Sequence, residues 1–244
     1  MNVLLLHGLG ADHRAFQRFL RLLPGDWHAV AVDLLGHGDA PKPTTGYRLE
    51  DLAAQASADI TRLRAAGTFT AGLPVVVLGH SYGAATAVAL AALHGDLVDN
   101  LVLLDPVVRL PDAREMDGQP SRTQRMFAAR RAGTLERDVP LIFPEAGAAL
   151  NRWVVDTWST MSLGVLDEFD NDWMRFAPRV HCPVTVITGD VEHGGSGDAP
   201  LAAFAGRAAH IGIAGAGHYL HATHATATAQ AVVEATATAD LRHT

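Results

Sequence analysis

The chain has a single cysteine, Cys182, among its 244 residues. No intrachain disulfide can form, and a reducing, cytoplasmic compartment is the expectation. Cys182 precedes Pro183 at the start of an apolar run, where a buried structural thiol is the simpler reading. Basic charge is not in excess either. The formal net charge is −7, which argues against a nucleic-acid partner. No apolar window approaches the length of a membrane span, so no membrane partner is expected. Residues 1–6 carry no basic segment, and their apolar run is too short for a secretory signal; they read as a strand. Lys42 is the one lysine among nineteen basic residues, a skew that points to coding bias and carries no functional inference.

What the chain does have is a regular alternation. Short, largely apolar runs at 3–6, 29–32, 75–78, 101–104, 184–187 and 210–213 read as buried strands. Between them lie helical patterns at 15–23, at 49–63 and after Ser81. In the second of these, Leu49, Leu52, Ala53, Ala56, Ile60 and Leu63 share one face. The Ala/Thr-rich tail, 222–241, reads as one helix, against the preference of its β-branched threonines. Strands apolar on both faces and separated by helices predict an α/β fold with a mostly parallel sheet covered on both sides. Polar residues follow the carboxyl ends of these strands: His7, Asp33, Ser81, Asp105, Asp190 with Glu192, and His218. An open α/β sheet builds its site at that edge.

Residues 106–180 break the alternation. They contain no clear strand but have Trp153, Trp158 and Trp173 and several helix-like segments. The reading is a helical cap inserted into a core made of 1–105 and 181–244. Trp153, Trp158, Trp173, Met161, Leu163 and Phe169 would line an apolar pocket or form the cap's own core.

Gly79-His80-Ser81-Tyr82-Gly83 stands where a strand pattern turns into a helix pattern. A serine there is held in a strained conformation and exposed above the sheet, and flanking glycines let strand and helix approach closely. An activated serine needs a base, a group to orient the base, and donors for an oxyanion. His218, on the glycine-rich loop after the last strand, is the candidate base. Its spacing with His221 and His224 also suits a metal, but no cysteine or carboxylate joins them and none is expected. For the acid, three residues follow strands: Glu192 is preferred, because Gly194 and Gly195 give its loop room to turn back; Asp190 is the alternative, and Asp105 the third candidate. Asp105 and Asp190 read more simply as caps on loop amides. The backbone N–H groups of Leu9, in His7-Gly8-Leu9-Gly10, and of Tyr82 are the candidate oxyanion donors. His7 reads as a brace for its loop.

With these motifs the chain resembles the α/β-hydrolase-fold serine enzymes. The resemblance rests on His7-Gly8-Leu9-Gly10, Asp33-Leu34-Leu35-Gly36-His37-Gly38, the segment around Ser81, Gly189-Asp190-Val191-Glu192 and Gly215-Ala216-Gly217-His218. It implies a Ser–acid–His triad with the acid at Glu192, a helical cap after the strand ending at Asp105, and no cofactor. Asp33 and His37 would shape the site wall. Because the chain begins at what is usually the family's third strand, about six strands are expected rather than eight. Serine at 81 disfavours the relatives that open epoxides or displace halides, which need a carboxylate there. The implied activity is hydrolysis of an ester, lactone or thioester of a small apolar or aromatic substrate through an acyl-enzyme. Non-hydrolytic chemistry on the same fold, or a ligand-binding receptor, are the alternatives.

Overall fold

A computed structural model describes residues 1–108, 120–144 and 147–240. Six strands, β1 (Asn2–Leu6), β2 (His28–Val32), β3 (Val75–His80), β4 (Asn100–Leu104), β5 (Val184–Gly189) and β6 (Ala208–Ile213), form one sheet in the order β2-β1-β3-β4-β5-β6. Every pairing is parallel. The inner strands β1, β3, β4 and β5 are buried along their whole length, whereas the edge strands β2 and β6 are partly exposed.

Successive side chains on a strand point to opposite faces, and each face has its own core. Leu4, Leu6, Val75, Val77, Leu101, Leu103, Val184 and Val186 pack against α2 (Leu49–Ala65) and α3 (Tyr82–Leu93). Val3, Leu5, Val76, Leu78, Val102, Leu104 and Ile187 pack against Phe16, Phe19 and the C-terminal helix. The face of α2 read from the sequence is the buried one: Leu49, Leu52, Ala53, Ala56, Ile60 and Leu63. Helix α3 is apolar all round and buried almost throughout, as a helix wedged between sheet and neighbours must be.

Two helices differ from the pattern read in the sequence. The first is short, a 3-10 turn at His13–Phe16 followed by α1 (Gln17–Leu20). The tail is two helices, α8 (Leu220–Thr223) and α9 (Ala225–Asp240), broken at His224; Leu241 lies outside the described residues. Thr228 Oγ1 donates to the carbonyls of Leu220 and His224 across that break. Thr236 bonds back to its own helix at Val232, which is how a threonine is accommodated there.

Between β4 and β5 the described residues form α4 (Arg122–Ala132), α5 (Leu135–Ile142), α6 (Ala148–Thr160) and α7 (Gly164–Asp167). Their apolar faces make a third cluster with Met126, Val139, Trp158, Met161 and Val165, joined by Tyr47. Leu9 and Leu35, from the loops at the carboxyl ends of β1 and β2, pack against it. Trp173, Phe176, Ala177 and Val180 instead join the α3 side of the main core, where Trp173 stacks on Phe204.

Candidate active site

Strand β3 ends at His80, and Ser81 turns the chain into α3 with φ 54° and ψ −114°, a region that a side chain occupies only at a cost. The turn is held by Ser81 N–H donating to Leu104 O at 3.0 Å. The flanking glycines are required by contact. A Cβ on Gly79 would overlap the Gly83 carbonyl, and one on Gly83 would overlap the carbonyls of Leu6 and His7. The two glycines therefore let α3 sit directly against β1 and β3, with Ser81 raised at the edge.

His218 reaches Ser81 from the loop after β6. Its Nε2 lies 3.0 Å from Ser81 Oγ, and its Nδ1 lies 2.7 Å from Asp105 Oδ2. A carboxylate can only accept, so Nδ1 carries the proton and Nε2 is left to accept from the serine hydroxyl. Asp105 follows β4, the strand beside β3, and is completely buried. Its backbone is left-handed, with φ 44°.

The acid beside His218 is thus Asp105, which corrects the expectation of Glu192 or Asp190. Val191–His193 forms a 3-10 turn that directs Glu192 outward, its side chain 79% exposed and 3.8 Å from the His193 ring. Asp190 Oδ2 accepts from Gly215 N–H at 2.7 Å, and Asp190 N–H donates to Ala216 O. Asp190 therefore anchors the loop that carries His218. Asp105 does cap amides, those of Gly189 and Ser196, as the simpler reading holds. That role and the contact with His218 coexist because a carboxylate has room for several donors.

The loop after β1 lies against the serine. A Cβ on Gly8 would be 3.3 Å from Ser81 Cβ, and one on Gly10 would overlap the Trp158 indole. His7 braces this loop: Nδ1 donates to Gly8 O at 2.8 Å and Nε2 accepts from Leu34 N–H at 3.0 Å. Burial pushes its pKa down and keeps the ring neutral for both roles. Leu9 lies in the turn so formed. Tyr82 is the first residue of α3, where an amide has no acceptor within its own helix. Asp33 accepts from the amides of His13 and Asp39, and His37 Nδ1 donates to Leu35 O; both shape the neighbouring loop.

His80, immediately before the serine, is buried. Its Nε2 donates to the carbonyl of His218 at 2.9 Å, and its ring packs on His218 and His221. Burial, and then the neighbouring His221 and His218, hold its pKa well below the ordinary value. Sequence reasoning gave His80 and Ser196 no part in the site. The apolar flank is aromatic: the Tyr82 ring packs on Phe169, Phe169 on Phe127, and Phe127 on Trp158. Trp158, Trp173 and Met161 are core, Leu163 is exposed, and Trp153 and Phe169 are half-buried.

Both ring nitrogens of His218 are engaged, so it is not available to join His221 and His224 around a metal. Among the described residues, the one group with metal-compatible spacing is Asp190, Glu192 and His193, largely exposed and outside the Ser81–His218–Asp105 line. No helix among the described residues is long and apolar enough to cross a membrane.

Residues 3–231 match the alpha/beta hydrolase family. The chain is 39% identical over 109 residues to a pimeloyl-[acyl-carrier protein] methyl ester esterase of Neisseria meningitidis, covering 45% of this chain and 38% of that protein. It is 40% identical over 115 residues to the lipase LipV of Mycobacterium tuberculosis, covering 46% and 40%. The match therefore spans about two-fifths of the length of these curated relatives. Solved structures share the fold over nearly the whole chain. Cfl2 of Burkholderia cenocepacia has a TM-score of 0.74 at 22% identity, covering 96% of this chain and 87% of that one. An E-2-(acetamidomethylene)succinate hydrolase has a TM-score of 0.70 at 21% identity, covering 96% and 91%.

Proposed function

The chain belongs to the alpha/beta hydrolase family, and from that premise we propose that it hydrolyses a carboxylic ester, lactone or thioester through an acyl-enzyme on Ser81. The observation that carries this reading is the continuous line Ser81 Oγ–His218 Nε2 at 3.0 Å and His218 Nδ1–Asp105 Oδ2 at 2.7 Å. Its support from relatives is that those named above include a methyl ester esterase and a lipase.

His218 takes the Ser81 proton as Oγ attacks the substrate carbonyl carbon. The negative charge that develops on the carbonyl oxygen is met by the N–H groups of Leu9 and Tyr82. Each such donor is typically worth roughly 2.7–4 kcal/mol of transition-state stabilisation. Asp105 keeps the proton on Nδ1 and balances the imidazolium that forms. His218 then gives its proton to the leaving alcohol or thiol. Water, deprotonated by the same ring, attacks the acyl-enzyme; the tetrahedral intermediate collapses, Ser81 leaves with the proton returned, and the acid is released.

The substrate's acyl part would lie beside Phe169 and Phe127, which are half-buried and, with the buried Tyr82 behind Phe169, suit a small apolar or aromatic group. In this reading α4 to α7, within residues 106–180, act as the cap over the strand ends, and Leu9 and Leu35 are its seat. Cytoplasmic residence is part of the same proposal. It is supported by the single cysteine, Cys182, which can form no intrachain disulfide.

The test is covalent labelling by a fluorophosphonate together with turnover of short-chain p-nitrophenyl esters. Both should vanish in Ser81→Ala. Labelling that persists in that variant, or an unreactive wild-type protein that nonetheless binds such esters saturably, overturns the reading.

A further inference from the structure

A buried carboxylate that orients a histidine can itself rotate about its Cβ–Cγ bond, and rotation would turn its oxygen out of line with the ring N–H. In Asp105 the two oxygens are differently held. Oδ1 accepts from Gly189 N–H at 3.1 Å and from Ser196 N–H at 2.9 Å. Oδ2 accepts from Ser196 Oγ at 3.0 Å and from His218 Nδ1 at 2.7 Å. Ser196 therefore grips both oxygens, one with its amide and one with its hydroxyl.

The loop after β5 is folded to make this grip. Gly195 N–H donates to Asp190 O, and Gly197 N–H donates to Gly189 O, which bends residues 189–197 back on themselves. A Cβ on Gly195 would overlap the Gly189 backbone. The segment that the sequence motif marks as the source of the acid instead supplies the donors that receive an acid from β4.

We propose that Ser196 is a positioning residue of this site: its hydroxyl fixes the Asp105 carboxylate with Oδ2 towards His218 and shares that oxygen with the ring N–H. The proposal rests on the hydrolase reading above for its effect on turnover. Its effect on the His218–Asp105 hydrogen bond is independent of any substrate. Losing the hydroxyl removes one of the two donors on Oδ2 and leaves the carboxylate held by the Gly189 and Ser196 amides on Oδ1 and by His218 alone on Oδ2, so its alignment with the ring loosens. Asp105 is completely buried behind His218, so the variant should leave binding unchanged and slow the chemical step.

The experiment compares wild type with Ser196→Ala in two ways. Proton NMR of the resting protein follows the downfield Nδ1–H resonance of His218, assigned by its loss in His218→Gln. Ser196→Ala should move that resonance, whether or not an ester substrate has been found. Steady-state kinetics on a p-nitrophenyl ester should show kcat reduced about tenfold, the scale of one hydrogen bond to a charged group, with KM within about twofold. A resonance that stays in place, or an unchanged kcat, overturns the proposal. Wild type that turns over no ester defeats the hydrolase reading and leaves the NMR comparison to decide the role of Ser196. If Ser196→Ala does not fold, Ser196→Thr, which keeps the hydroxyl, must fold and retain the resonance; failure to do so also overturns the proposal.

Discussion

His80 and His218 are joined by a hydrogen bond from the ring of one to the main-chain carbonyl of the other, at 2.9 Å. The residue next to the candidate nucleophile thus holds the loop that carries the candidate base, although 138 positions separate them in the chain. The His80 ring also lies against Gly8, since a Cβ there would be 3.0 Å from His80 Nδ1. One buried imidazole links three loops of the site.

Removing that link should loosen the base without touching the serine. His80→Leu is expected to lower kcat by about tenfold or more and to reduce stability by about 1–3 kcal/mol, the cost of a buried acceptor left unsatisfied. His80→Gln, which keeps a donor, should recover part of both losses. Ester turnover and urea unfolding measure the two effects. Equal kcat in wild type and His80→Leu would show that His218 needs no such support.

Asp105→Asn separates the competing acids. An amide in place of the carboxylate can present an N–H to Nδ1 and drive the proton to Nε2, where it blocks acceptance from Ser81. The expected fall in kcat is on the order of 10⁴-fold, the effect seen when a triad acid is so replaced. Glu192→Gln should leave kcat within about twofold, because the side chain points into solvent. The reverse pattern in a pair of steady-state measurements would restore Glu192 as the acid.

These outcomes bear on what the chain reveals unaided. The strands were legible because buried parallel strands are apolar on both faces, and Ser81 and His218 because glycines mark the turns that carry them. Asp105 was not. Its left-handed backbone is a feature that no side chain announces, and an acid after a strand looks the same whether it caps amides or orients a histidine. Glu192 drew attention through neighbouring glycines, yet those glycines bend its loop so that Ser196 faces inward. The split at His224 was hidden for a related reason. Alanine and threonine alternate on both sides of the break with nothing in the composition to mark it, and it is bridged by bonds that include the Thr228 hydroxyl reaching back to Leu220 and His224.

Gly83→Ala tests the close approach beneath the serine. The added methyl would meet the carbonyl oxygens of Leu6 and His7, which belong to backbone and cannot rotate away. Helix α3 would have to lift from β1, carrying Ser81 with it. The variant should lose at least about 2 kcal/mol of stability by the ordinary cost of overpacking, and activity should fall more than stability alone explains. A folded variant with wild-type Tm and kcat would mean that the helix and strand are further apart than described.

Acid should destabilise this protein well before its carboxylates titrate. His7, His37, His80 and His221 are all buried, and burial lowers the pKa of each, to about 3 for His37 and His221. His37 Nε2 and His221 Nδ1 have no hydrogen-bond partner among the described residues. Unfolded, each ring takes a proton near pH 6.5; folded, each resists protonation until lower pH, His37, His80 and His221 most strongly. The neutral rings therefore favour the native state above pH 6.5, and that contribution is lost as pH falls towards the folded value. One fully engaged histidine accounts for about 1.4 kcal/mol per pH unit, or about 2 kcal/mol between pH 6.5 and 5. Urea midpoints at pH 7, 6 and 5 should fall accordingly. His221 faces His80, His218 and Phe16, so His221→Phe replaces a ring that resists protonation with one that has none to accept. That variant should be close to wild type at pH 7, more stable than wild type at pH 5, and shallower in its slope between them. Parallel curves for the two proteins would mean that His221 takes up its proton in the folded state as readily as in the unfolded chain.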